Sequence, residues 1–267
     1  MAVVKVQFDK HPFPGDFVTE KDKDFIATLR RNKFRGMPKG CKTILASVQT
    51  LTSVQHYAYQ THLSNVYEWG AKANEFRVVF LVQYRVEIAN ARNNAIRMAI
   101  KGGFDYVFFY DDDTIMPSDT LPNLIKRMEE FNAVSGGYYI RGYPFKPMVF
   151  RWVGKKRTHL KLANEKYYKR LIDEDGVMRD NVGAVGCGCT LMRVSDFKKV
   201  PFPWFQTVPH MTEDVFWFMR SHEHIKDYKV GMDFNVQCGH ILDALYVDSS
   251  NCDTLRQAYR KVGGYET

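Results

Sequence analysis

Two kinds of apolar segment alternate along the chain from residue 43, and this alternation restricts the fold more than any other feature. Three short runs rich in β-branched and aromatic residues are typical of strands: TILASVQT, RVVFLVQ and DYVFFY, residues 43–50, 77–83 and 105–110. Between them lie two longer segments with apolar residues at helical spacing, residues 54–69 and 86–101. A third helix is expected to follow, capped by Ser118. Strands that alternate with helices predict an α/β fold with a mostly parallel central sheet flanked by helices.

The size and composition of the chain suit a single globular domain. Its 267 residues are 45% hydrophobic, which is enough for a substantial core. The N-terminal sequence MAVVKVQFDKHPFPGDF lacks the apolar segment of a signal peptide, and no apolar run approaches the roughly 20 residues that a membrane span needs. We therefore expect a soluble, cytoplasmic protein without a membrane partner. The five cysteines include no C-x-x-C pair, which argues against a disulfide framework or a zinc cage.

Charge is distributed unevenly along the chain. The net charge of +8 favours an anionic partner, which could be nucleic acid, a nucleotide or an acidic surface. Between Lys21 and Lys42, eight Lys or Arg residues accompany only two Asp residues. We interpret residues 1–42 as a basic N-terminal extension, either a binding arm or a helix and loop that cover the sheet edge. Residues 43–250 then form the main domain, and residues 251–267 form a C-terminal tail.

The apolar run YVFFY ends on three consecutive aspartates, Asp111, Asp112 and Asp113. In open α/β sheets ligands gather beyond the carboxyl ends of the strands, where this triplet falls. Alternate side chains of an extended chain share a face, so Asp111 and Asp113 are expected to point together. Two convergent carboxylates repel each other unless a cation lies between them, and a hard divalent ion such as Mg²⁺ or Mn²⁺ prefers oxygen ligands. A polar turn that caps the next helix is the alternative for one or two of these acids.

Two later stretches carry further candidate residues. In VPHMTEDVFWFMR, Thr212 is predicted to cap a helix whose first turn contains Glu213 and Asp214, where the helix dipole favours acids. This interaction with the helix dipole is enough to explain why acids occupy the first turn. Acids at a helix N-terminus facing a cleft can also accept a proton from an attacking hydroxyl. In DFNVQCGHI, a strand-like run ends at His240, which is either a structural hydrogen-bonding residue or a metal ligand.

These motifs follow one another in a characteristic order: ARN, DYVFFYDDD, VSGGYYIRGYP, VGAVGCGCTLMR, TEDVFWFMR and CGHI. The series resembles the small GT-A-fold glycosyltransferases found among bacteriophage and bacterial inverting enzymes, and the resemblance runs from about residue 43 to 245. It implies a GT-A (Rossmann-like) fold, a nucleotide-sugar donor that is UDP-linked by family preference, and Mn²⁺ or Mg²⁺ as cofactor.

The resemblance also implies roles on the donor side of the site. The aspartate triplet matches the D-x-D motif, in which Asp113 would bind the metal that carries the donor diphosphate. Asp111 would contact the metal or the donor ribose, and Asp112 would lie near the donor sugar. His240 takes the place of the later metal ligand.

The resemblance further implies which residues contact the nucleotide and which residue accepts the proton that the acceptor loses. Arg92, with Asn93 beside it, lies where these enzymes contact the nucleotide. Asp214 becomes the catalytic base, and Glu213 is the second candidate because sequence cannot separate two adjacent acids. The Gly-rich run 185–189 resembles the strand that lines the acceptor side, and the neighbouring Trp204–Phe205 pair is expected in an acceptor-side loop.

The chemistry of glycosyl transfer explains this division of residues. Breaking the anomeric C–O bond leaves negative charge on the diphosphate, which a divalent ion and a guanidinium stabilise. The leaving group then needs no proton, whereas the acceptor hydroxyl must lose one as it attacks, so one carboxylate suffices as base. This division predicts inversion at the anomeric carbon, and the resemblance implies transfer of a hexose or pentose.

The acceptor is predicted from charge. A second basic stretch lies within residues 151–170, and with the N-terminal one it could follow the phosphates of a nucleic acid. A hydroxymethylated base in phage DNA is therefore one expected acceptor, which would place the enzyme in the host cytoplasm. A glycan or protein acceptor is the alternative, in which case the basic residues serve solubility and donor attraction.

Two other functions compete with glycosyl transfer. A metal-dependent nuclease or phosphohydrolase would use the aspartates with Glu213 or Asp214 to bind two ions. A non-enzymatic nucleic-acid-binding protein would show salt-sensitive binding that does not depend on Asp113.

Overall fold

A computed structural model describes residues 4–6, 27, 37–50, 54–153, 159–242 and 245–263. Within these ranges the strands, in chain order, are β1 Val4–Val6, β2 Lys42–Thr50, β3 Phe76–Tyr84, β4 Tyr106–Asp111, β5 Thr114–Ile115, β6 Ala133–Gly137, β7 Val149–Val153, β8 His159–Leu162, β9 Val177–Met178, β10 Val182–Val185, β11 Cys189–Arg193, β12 Val230–Gln237, β13 Gly239–Leu242 and β14 Leu245–Val247. The helices are α1 His56–Ala71, α2 Ile88–Gly102, α3 Thr120–Arg127, α4 Glu165–Tyr168, α5 Val194–Phe197, α6 Glu213–His224 and α7 Cys252–Gly263.

The main sheet has eight strands in the order β1-β3-β2-β4-β11-β6-β12-β9. The pairs β1–β3, β2–β3, β2–β4 and β6–β12 are parallel, while β11 and β9 pair antiparallel with their neighbours. Strands of one direction therefore predominate, and helices flank the sheet. The predicted α/β fold with a mostly parallel central sheet is confirmed.

The central strands are buried on both faces of this sheet. Along β4, Val107 and Phe109 belong to one apolar cluster, while Phe108 and Tyr110 belong to another. Successive side chains of a strand point to opposite faces, so each cluster packs between the sheet and a separate layer of helices. This explains why β4 is a continuous apolar run without polar alternation.

Two small sheets extend the domain beyond the main one. Strands β10, β7 and β8 form the first, and β14, β13 and β5 form the second. In the second sheet, β5 pairs antiparallel with β13, so that Thr114 lies opposite His240. This pairing brings the end of the aspartate triplet beside the histidine, although they are far apart in sequence.

The three helices predicted from apolar spacing are present as α1, α2 and α3, with a difference at one cap. Helix α2 starts after Glu87, whose carboxylate accepts hydrogen bonds from the backbone N–H groups of Ala89 (3.1 Å) and Asn90 (2.9 Å). It ends at Gly103, which has a φ of 63° and so adopts the left-handed conformation that glycine tolerates. The predicted cap Ser118 is wrong, because α3 begins at Thr120 with Asp119 as its N-cap.

The predicted extension is described only in part. Residues Val4–Val6 form β1, which adds a parallel edge strand to β3. Most of the basic segment 21–42 lies outside the described residues, and so does part of the second basic stretch, residues 154–158. None of the helices described is long and apolar enough to cross a membrane.

Candidate active site

The aspartate triplet occupies the predicted position at the carboxyl end of β4. Asp111 is the last residue of that strand, and Asp113 immediately precedes β5. One carboxylate oxygen of Asp113 (Oδ1) lies 3.4 Å from Nε2 of His240, and the other (Oδ2) lies 2.8 Å from a guanidinium nitrogen of Arg141. The structure therefore brings together two of the three predicted metal ligands, with a positively charged side chain beside them.

The orientation of His240 is fixed by its other ring nitrogen. Nδ1 lies 2.7 Å from the carbonyl oxygen of Tyr139, and a carbonyl only accepts, so Nδ1 carries the hydrogen in this contact. Nε2 then faces Asp113 either as a second N–H donor in the charged imidazolium or as a lone pair in the neutral ring. A lone pair aimed at a carboxylate is favourable when a cation lies between them, as in a metal site whose histidine is oriented by a backbone carbonyl.

The electrostatic environment of Asp113 favours its anionic form. Burial raises the pKa of this carboxyl, but the hydrogen bond and charge of His240, together with the charge of Arg141, outweigh burial and lower the pKa below its ordinary value. By contrast, burial raises the pKa of Asp111, against the opposing effect of Arg92. Burial likewise raises the pKa of Asp112. Three adjacent acids thus have distinct environments.

Arg92 connects the aspartate triplet to the acidic pair on α6. Its side chain is 3% exposed, and one guanidinium nitrogen (Nη2) lies 3.3 Å from Asp111 Oδ1. The other terminal nitrogen, Nη1, donates to Glu213 Oε1. Within the described part of the chain, Arg92 Nε is buried and has no hydrogen-bond partner. A buried cation that carries two acidic partners holds β4, α2 and the start of α6 in one arrangement.

Glu213 and Asp214 occupy the first turn of α6, as predicted, but their contacts differ. Burial raises the pKa of Glu213, while the charge of Arg92 opposes this rise. Asp214 Oδ1 accepts hydrogen bonds from the hydroxyl of Thr212 and from the backbone N–H of Val215, the latter at 2.7 Å. Thr212 is the N-cap, as predicted, although its hydroxyl binds Asp214 instead of capping a backbone N–H. Among the described residues, both of these bonds go to Oδ1, and none is formed to Oδ2.

Asn93 binds the loop that contains Trp204 and Phe205. Its amide nitrogen donates to the carbonyl of Phe205 at 2.7 Å, and its oxygen accepts from the backbone N–H groups of Trp204 (3.2 Å) and Phe205 (3.1 Å). Phe205 is 1% exposed and packs edge-on against Phe109 in the core. Phe205 is therefore a core residue, whereas the position of the Trp204–Phe205 loop on the acceptor side stays a prediction. A contact of Asn93 with the nucleotide stays a prediction.

The Gly-rich run before β11 accommodates Tyr138, which follows β6. The Tyr138 hydroxyl accepts a hydrogen bond from the backbone N–H of Gly188 at 2.9 Å. A Cβ atom on Gly186 would lie 2.0 Å from that hydroxyl, and one on Gly188 would lie 3.0 Å from the ring. The ring also packs edge-on against His240, with centroids 5.8 Å apart. The glycines thus allow an aromatic ring to support the histidine.

Sequence reasoning missed Tyr138 and Arg141 as parts of the site. Both lie in the segment VSGGYYIRGYP, which contributed to the resemblance but received no residue assignment. Nothing in their local spacing distinguishes them from other aromatic and basic residues. Both belong to the site through contacts with residues distant in sequence, Tyr138 with His240 and Arg141 with Asp113.

The residues present fit a divalent cation that shares its coordination with a ligand. The described residues contain no cluster of three or more metal-binding side chains, and Asp111 has an oxygen directed to Arg92. Asp113 and His240 alone form the close pair. Mg²⁺ characteristically uses one or two carboxylates, waters and substrate phosphates, and imidazole suits Mn²⁺ less well than carboxylate but is accepted.

A separate cavity of about 330 Å³ lies elsewhere, lined in part by Phe131, Trp152, His222 and Val230. Phe131 and Val230 lie at the amino ends of β6 and β12. The cavity is therefore at the opposite end of the sheet from the acids.

Comparison with solved structures supports the fold. A structure described as "Crystal Structure of A197 from STIV" has a TM-score of 0.50 and 19% identity, over 78% of this chain and 91% of that chain. Another, "Crystal structure of GalNAc-T7 with UDP, GalNAc and Mn2+", has a TM-score of 0.50 and 12% identity, over 77% of this chain and 45% of that chain. These similarities indicate a shared GT-A fold. A search of curated proteins gives no match.

A family comparison is more specific than the structural one. The profile of the family described as "Glycosyl transferase family 2" matches residues 65–200. The matched segment contains Arg92, the aspartate triplet and the Gly-rich run, and it ends before α6. Because the match covers just over half of the chain, this protein belongs to glycosyl transferase family 2.

Proposed function

We propose that this protein is a metal-dependent glycosyltransferase that moves a sugar from a UDP-linked donor to an acceptor hydroxyl, with inversion at the anomeric carbon. The observation that carries the proposal is the buried Arg92, which joins Asp111 of the triplet to Glu213 beside Asp214. It holds the residues expected at the donor and those expected at the acceptor on the same side of the sheet. In inverting transfer, the groups that stabilise the departing diphosphate and the base that activates the acceptor act on opposite faces of one sugar.

On the donor side, Asp113 and His240 would hold the divalent cation, with Asp111 as the predicted third participant. The bound ion would supply positive charge that stabilises the diphosphate as it departs. The lowered pKa of Asp113 supports this role because the carboxylate remains ionised and available at neutral pH. The GalNAc-T7 structure was determined with UDP and Mn²⁺, which supports the choice of donor and ion.

On the acceptor side, Asp214 is the proposed base. Both described hydrogen bonds to its carboxylate use Oδ1, so Oδ2 is available to accept the proton of the attacking hydroxyl. The N-terminal end of α6 favours the negative charge that a base requires. The acceptor oxygen then forms a bond to the anomeric carbon as the bond to the diphosphate breaks. The electron pair of that bond goes to the diphosphate oxygen, while the acceptor proton goes to Asp214.

Glu213 fits the proposal as the counter-ion of Arg92. Its contact with the guanidinium commits one carboxylate oxygen and gives the buried cation a second acidic partner. Arg92 would in turn balance the charge of Asp111 close to the nucleotide, where the family resemblance places it. This pairing also argues against the nuclease hypothesis, in which Glu213 would bind a second ion. Membership of glycosyl transferase family 2 favours glycosyl transfer as well.

For the acceptor, the net charge of +8 favours a polyanion such as DNA over a neutral glycan, and a hydroxymethylated base would supply the hydroxyl. A base in a duplex would have to leave the stack to reach Asp214. An acceptor of this kind would place the enzyme in the cytoplasm, which for a phage enzyme is that of the host.

Ligand-induced stabilisation against heat tests the donor proposal. UDP with Mn²⁺ should raise the melting temperature of the wild-type protein, because a ligand at 100 times its dissociation constant stabilises the native state by about 2.7 kcal/mol. UDP without Mn²⁺ should have a much smaller effect. Asp113→Ala should remove the Mn²⁺-dependent part of the shift, whereas Glu174→Ala, which removes an exposed carboxylate in the turn before the edge strand β9, should retain it. A wild-type protein that is not stabilised by any nucleotide with Mn²⁺, yet binds DNA alone, would contradict the proposal.

A further inference from the structure

Arg141 contacts the aspartate triplet with a side chain that is both charged and largely exposed. It lies in the loop between β6 and β7, and its side chain is 57% exposed, compared with 14% for Asp113. Its guanidinium nevertheless contacts Asp113 Oδ2 at 2.8 Å. Arg92, by contrast, is buried between two acids. Of these two arginines, Arg141 is therefore the one whose side chain can change partners.

The backbone around Arg141 is held in place from several directions. The carbonyl of Tyr139 is 2.7 Å from His240 Nδ1, and the N–H of Ile140 donates to the carbonyl of Lys146 at 2.9 Å. Further along, the Arg256 side chain donates to the carbonyls of Pro144 (2.6 Å) and Phe145 (2.8 Å). A movement of Arg141 that keeps these bonds is a rotation of its side chain and requires no displacement of the loop.

The contact between Arg141 and Asp113 competes with a divalent cation. Asp113 Oδ1 faces His240 and Oδ2 faces Arg141, so the guanidinium already neutralises part of the carboxylate charge. A cation held by Asp113 and His240 would repel the guanidinium and weaken its attraction to the carboxylate. A diphosphate bound to the same cation would restore negative charge close by. An arginine has a planar group of five donors that suits phosphate oxygens particularly well.

We propose that Arg141 is an exchangeable counter-charge, which pairs with Asp113 in the ligand-free protein and donates to the donor diphosphate once cation and nucleotide are bound. This inference rests on the proposed function, since it requires a metal-bound nucleoside diphosphate at Asp113. It makes Arg141 a ligand-binding residue of the donor site and gives it opposite effects on the two ligands. In the empty site it opposes the metal, and in the loaded site it favours the nucleotide.

Separate binding measurements for the two ligands test this inference. Binding of Mn²⁺ alone is measured from the electron paramagnetic resonance of the free ion, and binding of UDP at saturating Mn²⁺ by titration calorimetry. Arg141→Ala should tighten Mn²⁺ binding about 3- to 10-fold, because a competing charge is removed, and should weaken UDP binding about 10-fold or more, because charge-assisted hydrogen bonds are lost. Arg141→Gln, which keeps most of the side-chain length without the charge, should change both affinities in the same directions.

Lys226→Ala is the matched control for the loss of one positive charge. Lys226 is an exposed residue between α6 and β12, at the end of the sheet away from the acids, so both affinities should stay within twofold of wild type. If wild-type protein binds UDP with Mn²⁺ but the Arg141 variants weaken both ligands together, or change neither, the exchange is refuted while the proposed function stands. If wild-type protein does not bind UDP with Mn²⁺ at all, the proposed function and this inference are both overturned.

Discussion

Adjacent acidic residues can differ in function when their surroundings differ, and Glu213 and Asp214 show how. Consecutive residues on a helix project about 100° apart, so Glu213 reaches the buried Arg92 while Asp214 contacts its own N-cap residue, Thr212. Removing Glu213 would leave a buried guanidinium with one fewer partner, whereas removing Asp214 would leave that ion pair intact. The same change from acid to amide should therefore have different consequences at the two positions.

Asp214→Asn is expected to lower kcat by about 10³-fold, within the range attributed to general-base catalysis, and to leave UDP affinity within twofold of wild type. Glu213→Gln should lower the free energy of unfolding by a few kcal/mol, since breaking a buried ion pair from one side is costly. Steady-state kinetics, UDP calorimetry and urea unfolding of the two variants separate these effects. An Asp214→Asn enzyme with near wild-type kcat would show that Asp214 is not the base.

At the scale of secondary-structure elements, apolar periodicity predicts the strands and helices whose formation depends on the local sequence. Strands β2, β3 and β4 and helices α1 and α2 agree with their apolar periodicity to within a few residues. The contacts that build the site join distant segments: Arg92 and Glu213 are 121 residues apart, and Tyr139 and His240 are 101 residues apart. Periodicity carries no information about such pairings, so Arg92, His240 and the acids are candidates from the sequence, but the contacts between them are not predicted from it. The Gly-rich run is visible in the sequence, but the ring of Tyr138 that these glycines accommodate cannot be identified from it.

The packing of Tyr138 against this run makes a prediction about the glycines. Gly186→Ala would place a Cβ 2.0 Å from the Tyr138 hydroxyl and 2.9 Å from the end of Met148. We expect a loss of about 1–3 kcal/mol in the free energy of unfolding, the usual cost of overpacking a core. The Mn²⁺-dependent affinity for UDP should also fall, because the displaced ring packs against His240.

Gly142→Ala is the matched control, since a Cβ at Gly142 would meet nothing within 4 Å. Urea unfolding of both variants measures the difference. Equal stability of the two variants would mean that Tyr138 moves aside freely and does not fix the position of His240.

At the scale of the whole molecule, the acidic site contrasts with the net positive charge of the chain. The acids converge beyond the carboxyl end of β4, while the chain as a whole carries a net charge of +8. Positive charge can attract a polyanion over distances of about a Debye length, roughly 10 Å at 0.1 M salt, but does not by itself select a reactive hydroxyl. Attraction of the acceptor and choice of the reacting group are therefore separable, and salt should act mainly on the first.

The salt dependence of acceptor binding discriminates between DNA and a neutral glycan. For duplex DNA with 5-hydroxymethylcytosine, log K should fall linearly with log salt, with a slope of about −3 or steeper, because each neutralised phosphate contributes about −0.9. Lys161→Gln, at an exposed position on β8, should reduce the slope by about one if this strand contacts the backbone. Lys226→Gln should leave it unchanged. Sugar transfer from the UDP-linked donor should occur to the hydroxymethylated duplex and not to the unmodified one, because only the former offers the hydroxyl that Asp214 would deprotonate. Salt-independent binding, with transfer only to a glycan or protein, would reject the DNA acceptor and leave the glycosyl-transfer chemistry in place.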